Sequence, residues 1–281
     1  MIRNIAYYPL QTALNASEVL GAFLQSCKQN NIVTKENSYD ADAAVIWSVL
    51  WNGRMLKNRA VYHHYRQQNK PVVIIDAGAL HRNITWKIAI NNINALGHYG
   101  HTEHLDFDRP KKLNISITPH AKKSEAILLA MQNSRSLQVE QLTSMEDWVL
   151  GQVRELRLRT DRAIVIRPHP RSPANIRCLL DRVTIEEPKK LVGSYDSFDF
   201  NTNYHAVVNY NSGPGIQAAL HSCPIIVDRS SLASPVSISV DDVEHPLVLD
   251  KSQWLVEIAH TEYTLDEIKS GQWLKRLEQY L

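Results

Sequence analysis

Six short apolar runs, each bounded by turn residues and separated by stretches long enough for a helix, constrain this chain more than any other feature. They lie at 43–49, 71–75, 127–131, 163–166, 206–209 and 225–227 and consist mainly of Val, Ile, Leu and Ala. Runs without polar alternation suit strands buried on both faces, which is the situation of a parallel sheet covered by helices. Parallel neighbours need crossover connections, and the intervening sequence supplies them. In 17–30, Val19, Leu20, Phe23, Leu24 and Cys27 recur at helical spacing behind Ser17, the expected N-cap. Segments 55–68, 145–160 and 215–221 read as further helices. Together with a strand at 2–8, the first half spells β-α-β-α-β and the second half starts again near Ile127, the pattern of doubly wound α/β folds.

The chain has 281 residues, enough for two such domains with a core each. The expected division is 1–122, 123–252 and a helical tail, 253–281. The apolar positions of that tail (among them Trp254, Ile268, Trp273 and Leu277) are expected to cross back and brace the first domain. Between Asp76 and Pro119, Gly78, Gly97, Gly100, Pro110 and a histidine-rich run suggest long loops on the ligand side of the sheet. No apolar run approaches the roughly 20 residues that span a bilayer. The N-terminal residues lack a signal-peptide core. Three widely spaced cysteines, Cys27, Cys178 and Cys223, argue against a disulfide framework or a cysteine-rich zinc site, and a reducing cytoplasm is the expected compartment.

The net charge of +2 is unevenly spread. From Arg54 to Lys123 there are twelve Lys or Arg against four Asp or Glu, with seven of the twelve histidines, so the remainder carries a formal −6. That local excess suits an anionic partner.

Two motifs carry chemistry. Arg167-Pro168-His169-Pro170 follows the run at 163–166, and its prolines end the strand and fix the backbone around the imidazole. With Arg167 and Arg171 beside it, His169 can donate to a phosphate or sugar oxygen. The second motif, Asn209-Tyr210-Asn211-Ser212-Gly213-Pro214-Gly215, joins a strand to a helix. Its glycines allow close backbone approach, Ser212 offers a hydroxyl and a cap, and a helix start attracts a diphosphate. It matches neither a Walker loop nor a full dinucleotide fingerprint. Histidines 98, 101 and 104 are spaced three apart across Gly100 and do not form a helical metal pair.

Arg167-Pro168-His169-Pro170, the Ser212-Gly213 loop and the step Ala218-Ala219-Leu220 to Pro224-Ile225-Ile226-Val227 resemble the C-terminal half of capsule-type Kdo transferases and polysialyltransferase-like enzymes. The segment from Ile75-Asp76 to Trp86-Lys87 and Asn91-Asn92 resembles short phage-encoded glycosyltransferases, some of which modify hydroxymethylated pyrimidines in DNA. The resemblance covers roughly 70–100 and 160–275. It implies a GT-B fold of two Rossmann-like doubly wound domains facing a cleft, and a glycosyltransferase with a nucleotide-diphosphate sugar, a UDP-sugar, as co-substrate. It further implies that Arg167 and His169 face the donor phosphates, and that Ser212, Gly213 and Gly215 cradle them. Gln132, Asn133 and Ser134 would line the loop that opens the donor domain. Neither a metal nor another cofactor is expected, because basic groups and a helix start neutralise the leaving diphosphate. Asp76, ending an apolar strand, is the candidate base, with Asp106 and Asp108 as weaker candidates. Trp51, Trp86, Lys87, His98 and His101 are the candidate acceptor contacts. Duplex DNA bearing a hydroxymethylpyrimidine is the expected acceptor, in a host cytoplasm for a phage enzyme, and no obligate protein partner is expected. The alternatives are a surface-glycan acceptor, a nucleotide-sugar 2-epimerase and a non-catalytic nucleotide-sugar binding module.

Overall fold

The computed structural model describes residues 2–172, 176, 181–188 and 203–281. Cys178 lies outside them. In chain order the first elements are β1 Asn4–Tyr7, α1 Ser17–Gln29, β2 Val33–Glu36, β3 Ala43–Trp47, α2 Asn58–Gln67, β4 Val72–Ala77 and β5 Thr85–Ile90. There follow α3 Arg109–Lys112, β6 Ile127–Ala130, α4 Met145–Arg157, β7 Ile164–Arg167, β8 Val183–Ile185, β9 Ala206–Asn209, α5 Gly213–Leu220 and β10 Ile225–Val227. The chain closes with α6 Ser252–Ala259, β11 Glu262–Thr264, α7 Leu265–Lys269 and α8 Gln272–Leu277. These elements form two compact α/β units. One comprises 1–109, 136–138 and 257–281, the other 110–135 and 139–256. The change of unit thus falls at Arg109 rather than at residue 122, and the tail 253–281 is shared between the units.

The first unit is built on a six-stranded sheet ordered β11-β5-β4-β3-β1-β2. Its β2, β1, β3 and β4 are parallel, whereas β5 runs antiparallel to both β4 and β11. Each face buries its own layer. Ile5, Val45, Val73, Ile75, Ile88 and Ile90 pack with Phe23 of α1 and Trp273 of α8. Ala6, Ala44, Ile46, Val72, Ile74 and Ala89 pack with Val61 and Tyr65 of α2. Trp273 stacks on Phe23 at 4.4 Å and donates from Nε1 to Ser26 Oγ at 2.9 Å. Arg109 holds the returning segment. Its guanidinium donates to Ala259 O and Glu262 O, at 2.7 and 2.6 Å, and pairs with Glu267 at 2.7 Å.

The second unit has a five-stranded, all-parallel sheet ordered β10-β9-β6-β7-β8. Within this unit the first strand, β6, lies in the middle, with later strands added outward on both sides. The order therefore reverses between β6 and β9, which is the switch point of a dinucleotide-fold sheet. Helix α4 is capped by Ser144, whose Oγ accepts from Asp147 N at 2.9 Å, with Glu146 and Asp147 in the first turn and Arg154 and Arg157 in the last.

Several sequence expectations are corrected. Ser17 lies inside α1, and the N-cap position belongs to the fully buried Ala16, which has no side-chain cap, so packing holds this helix start. Segment 76–119 is not uniformly loop, because β5 occupies 85–90. Edge strands β2, β8 and β11 escape a search for apolar runs, being short and carrying Lys, Glu or Thr. Cys27 and Cys223 are buried free thiols, both pushed up to about 12 by that burial.

Candidate functional site

In the second unit the carboxyl ends of β6, β7 and β9 are neighbours, and the loops leaving them are cross-linked by side chains. Asn209, the last residue of β9, is completely buried. Its Nδ2 donates to Ala130 O at the end of β6 (2.9 Å) and to Ser212 Oγ (3.0 Å), while its Oδ1 accepts from Ser212 N at 2.9 Å. Gln132 Oε1 accepts from Asn211 N at 3.1 Å, a second link across the switch point. Asn133 folds back to accept from Arg135 N at 2.9 Å. Ser134 and Ser172 hydroxyls meet at 2.8 Å and tie the β6 loop to the β7 loop. Asn211 Nδ2 donates to Ser230 Oγ at 2.9 Å, and Ser230 donates to Asp228 at 2.6 Å, bringing in the loop after β10.

His169 and Ser212 stand at the same end of this sheet, separated by β6. Their strands are two spacings apart, about 10 Å. Arg171 N donates to His169 Nδ1 at 3.1 Å, which leaves the ring proton of the neutral imidazole on Nε2, the nitrogen able to donate. Helix α5 starts at Gly213, earlier than the sequence pattern suggests, with extended Ser212 at its N-cap. The Ser212 hydroxyl is turned to Asn209 and does not cap the helix. Gly215 packs closely against the sheet: a Cβ there would lie 3.0 Å from Val227 Cγ1 and 3.3 Å from Asn209 Oδ1. Its missing side chain serves helix–strand contact rather than ligand approach. Arg167 is only 6% exposed; its Nη2 donates to Glu186 (2.9 Å) and to Tyr204 OH (3.0 Å), while its Nε and Nη1 have no hydrogen-bond partner among the described residues.

The first unit gathers a different set. Asp76 is near the carboxyl end of β4, with Oδ1 accepting from Ala77 N at 2.7 Å and Oδ2 from Ser48 Oγ at 3.2 Å. Ser48, immediately after β3, is buried with φ at +61°, a left-handed conformation that is strained for a serine, and its N donates to Ile75 O at 2.7 Å. Asp76 keeps some solvent exposure, yet burial raises its pKa. The Ala77 N–H, Lys87, Ser48 and Arg82 oppose that rise. Lys87 on β5 lies directly opposite Asp76 and is 7% exposed, and burial lowers its pKa against the pull of Glu262 and Asp76.

The other acceptor candidates are dispersed. Trp51 is 5% exposed and sits in the core layer beneath α2, its ring 6.0 Å from that of Tyr62, so it has no face for a ligand. Trp86 neighbours Lys87 and so points to the opposite face of the sheet, where it packs with the α1 layer. His98 bridges Ile90, which pairs with Val73 at the amino end of β4, roughly 10 Å along the strands from Asp76. It stacks on Tyr280 at 4.3 Å, and His101 lies 6.4 Å from the same ring, with its carbonyl accepting from Arg276 at 3.0 Å. These histidines clasp the C-terminus. Of the twelve cations between Arg54 and Lys123, Lys87 and Arg109 are buried and the last four lie in the second unit. Among the described residues no group of three or more His, Cys, Asp or Glu is placed to hold a metal ion, and no helix is long and apolar enough to cross a membrane.

With this geometry in hand, the chain can be set beside solved structures. A β-Kdo 2,4-transferase, KpsC of Thermosulfurimonas dismutans, matches over 92% of this chain and 90% of its own, at 12% identity and a TM-score of 0.53. A KpsC β-Kdo 2,7-transferase of the same organism matches over 97% and 99%, at 13% identity and a TM-score of 0.51. The fold is of the GT-B type. A UDP-GlcNAc 2-epimerase of Methanocaldococcus jannaschii, solved with UDP-GlcNAc and UDP, aligns at 12% identity with a TM-score of only 0.32, too low to carry weight. No protein-family model and no curated protein matches the chain. At these identities the likeness establishes architecture, and the chemistry must come from the chain's own residues.

Sequence reasoning finds His169 and Ser212 by motif but does not single out Asn209, Ser48 or Glu262. The available signals were slight: a polar residue closing each of two apolar strands, and a lone acid in the tail.

Proposed function

We propose that this chain transfers a sugar from a nucleotide-diphosphate sugar, a UDP-sugar, to an acceptor hydroxyl. The observation that carries the reading is the convergence of the β6, β7 and β9 loops around the switch point of the second unit. Gln132, Asn133, Ser134, His169 and Ser212 gather there, beside the start of α5, with Gln132 and Asn133 themselves 4% exposed and the His169 imidazole as a ring donor. Departure of the nucleoside diphosphate builds negative charge on the β-phosphate. Donors fixed before the reaction stabilise that charge more in the transition state than in the ground state. His169 Nε2–H and the Gly213 N–H that opens α5 fill this role, since Pro214 has no N–H and Gly215 N donates to Ser212 O. Asp76 is the group assigned to accept the proton of the acceptor hydroxyl, its carboxylate oriented by Ser48 and the Ala77 N–H. Arg167 is anchored through Nη2 by Glu186 and Tyr204, and its Nε and Nη1, without a partner among the described residues, serve a donor phosphate.

We favour duplex DNA carrying a hydroxymethylpyrimidine as acceptor. Support comes from Arg54, Lys57 and Arg59, exposed on the segment that leaves the carboxyl end of β3, the end of the sheet where Asp76 lies. The test is calorimetric titration with UDP-, GDP- and CMP-sugars, followed by mass spectrometry of hydroxymethylated DNA incubated with the donor that binds. Donor affinity should fall at least tenfold in His169→Ala, about the worth of one charge-assisted hydrogen bond. Unchanged affinity would remove His169 from the donor site. Epimerisation of the nucleotide sugar without an acceptor would replace transfer by the epimerase alternative.

A further inference from the structure

Three ionisable side chains share one face of the first unit's sheet on three adjacent strands. The register sets Lys87 of β5 directly opposite Asp76 of β4 on one side and Glu262 of β11 on the other. Paired residues of antiparallel strands project to the same face, so the lysine stands between two acids. The two acids are not equivalent. Glu262 is fully buried and saturated: it accepts from Ala79 N at 2.6 Å, Leu80 N at 3.2 Å and Thr85 Oγ1 at 2.6 Å. Gly78 packs against this carboxylate, where a Cβ would lie 2.5 Å from Glu262 Oε2, and the three donors hold it in place. Asp76 has one backbone and one hydroxyl donor and retains contact with solvent. Tyr99 also reaches this group; its buried hydroxyl has no hydrogen-bond partner among the described residues. Arg82 adds a second, weaker cation on the Asp76 side.

We propose that Lys87 is a positioning residue whose charge, set between Asp76 and the immobile Glu262, keeps Asp76 ionised so that it can accept the acceptor's proton. The proposal rests on the reading of Asp76 as the base and adds how the base is kept charged inside the sheet. Burial among few donors disfavours the charged form of Asp76, and a nearby cation favours it. Without Lys87, Asp76 keeps the Ala77 N–H and the Ser48 hydroxyl, with Arg82 as the remaining cation. Burial already raises the Asp76 carboxyl, and Lys87 is the largest opposing side-chain contribution. Lys87 therefore acts from the strand interior, which explains a lysine at a position flanked by Trp86 and Ile88 in a buried strand.

The test uses the full chain labelled with 13C at the aspartate carboxyl carbons. The Asp76 signal is assigned by its loss in Asp76→Asn, and its titration is followed in Lys87→Gln, Lys87→Arg and Glu262→Gln. The midpoint should move to higher pH in Lys87→Gln, move to lower pH in Glu262→Gln and stay near the parent value in Lys87→Arg. The acid limb of the transfer rate should shift in the same directions. A purely structural lysine would lower stability without moving the two variants oppositely. An Asp76 midpoint unmoved in Lys87→Gln overturns the proposal whatever Glu262→Gln does, and Lys87→Met, which keeps the aliphatic stem without the charge, decides it should Lys87→Gln not fold. Transfer surviving in Asp76→Asn would instead sink the assignment of the base, leaving the titration result to stand by itself.

Discussion

Replacing Asn209 by Ala should loosen the switch point more than any other single truncation in the second unit. The carboxamide makes three hydrogen bonds that join the end of β6, the end of β9 and the entry to α5. A net worth of about 1 kcal/mol each gives about 3 kcal/mol. Ala130 O and Ser212 N then lose their partner at a site where Asn209 itself is wholly buried, and an unsatisfied buried group costs about 1–3 kcal/mol more. Ser212 can relax toward solvent, so about 3–4 kcal/mol is the expected local loss, which corresponds to a rise in opening of at least about a hundredfold. Hydrogen exchange read by mass spectrometry on peptides covering 127–134 and 206–220 measures this directly, and calorimetry gives donor affinity on the same protein. Exchange should accelerate in both segments while β3 and β4 of the other unit remain protected, and donor affinity should drop by more than tenfold. Unaltered exchange at 206–220 together with full donor affinity would refute the idea that Asn209 organises these loops.

Arg109→Met removes one partner of a buried pair and should destabilise the first unit by about 3–5 kcal/mol in denaturant titration. The pH dependence of that loss has a definite sign. Burial raises Glu267, but the Arg109 and Thr264 hydrogen bonds and the Arg109 charge outweigh it and leave the carboxyl below its usual range. The parent protein therefore holds this stabilisation above the unfolded pKa, about 4.3, and loses it as pH falls through the folded value. In Arg109→Met the dependence should vanish or invert, and an unchanged acid profile would contradict the pairing. Trp51→Ala should cost about 3–5 kcal/mol of stability as a core truncation, with acceptor KM little changed in protein that remains folded. A selective rise in KM at full stability would return Trp51 to the acceptor site. Binding to hydroxymethylated duplex should weaken steeply between low and moderate salt, and salt-insensitive binding would point to an uncharged glycan acceptor.

The legible part of the fold is the part whose physics is monotonous. Strands β3, β4, β6, β7 and β9 are largely buried on both faces, so their apolar runs stand out, the edge strand β10 is marked by Ile225-Ile226-Val227 although only Ile225 is fully buried, and the helices between them follow. Strand β2 is an edge with Val33 exposed, β11 is three residues long, and β5 places Lys87 in a buried layer. Each breaks the composition rule by which a strand is recognised. The candidate site divides in the same way. His169 and Ser212 announce themselves through prolines and glycines, because backbone constraint is written in those residue types. Trp51 resembles a ligand contact in one dimension and turns out to be held by the α2 core layer, and Arg167 is anchored at one nitrogen by Glu186 and Tyr204. Their burial depends on partners distant in sequence. Ser48 and Glu262 act only through contacts formed on folding, with Asp76, Ala79, Leu80 and Thr85, and no local pattern marks them.

The most direct measurement is a crystal structure of the chain with UDP or a UDP-sugar bound. The pyrophosphate should lie at the carboxyl ends of β6 and β9, within hydrogen-bonding distance of His169 Nε2 and the first turn of α5, with Gln132 to Ser134 on its other side. A nucleotide seated elsewhere, or a pyrophosphate remote from both His169 and α5, would contradict the account.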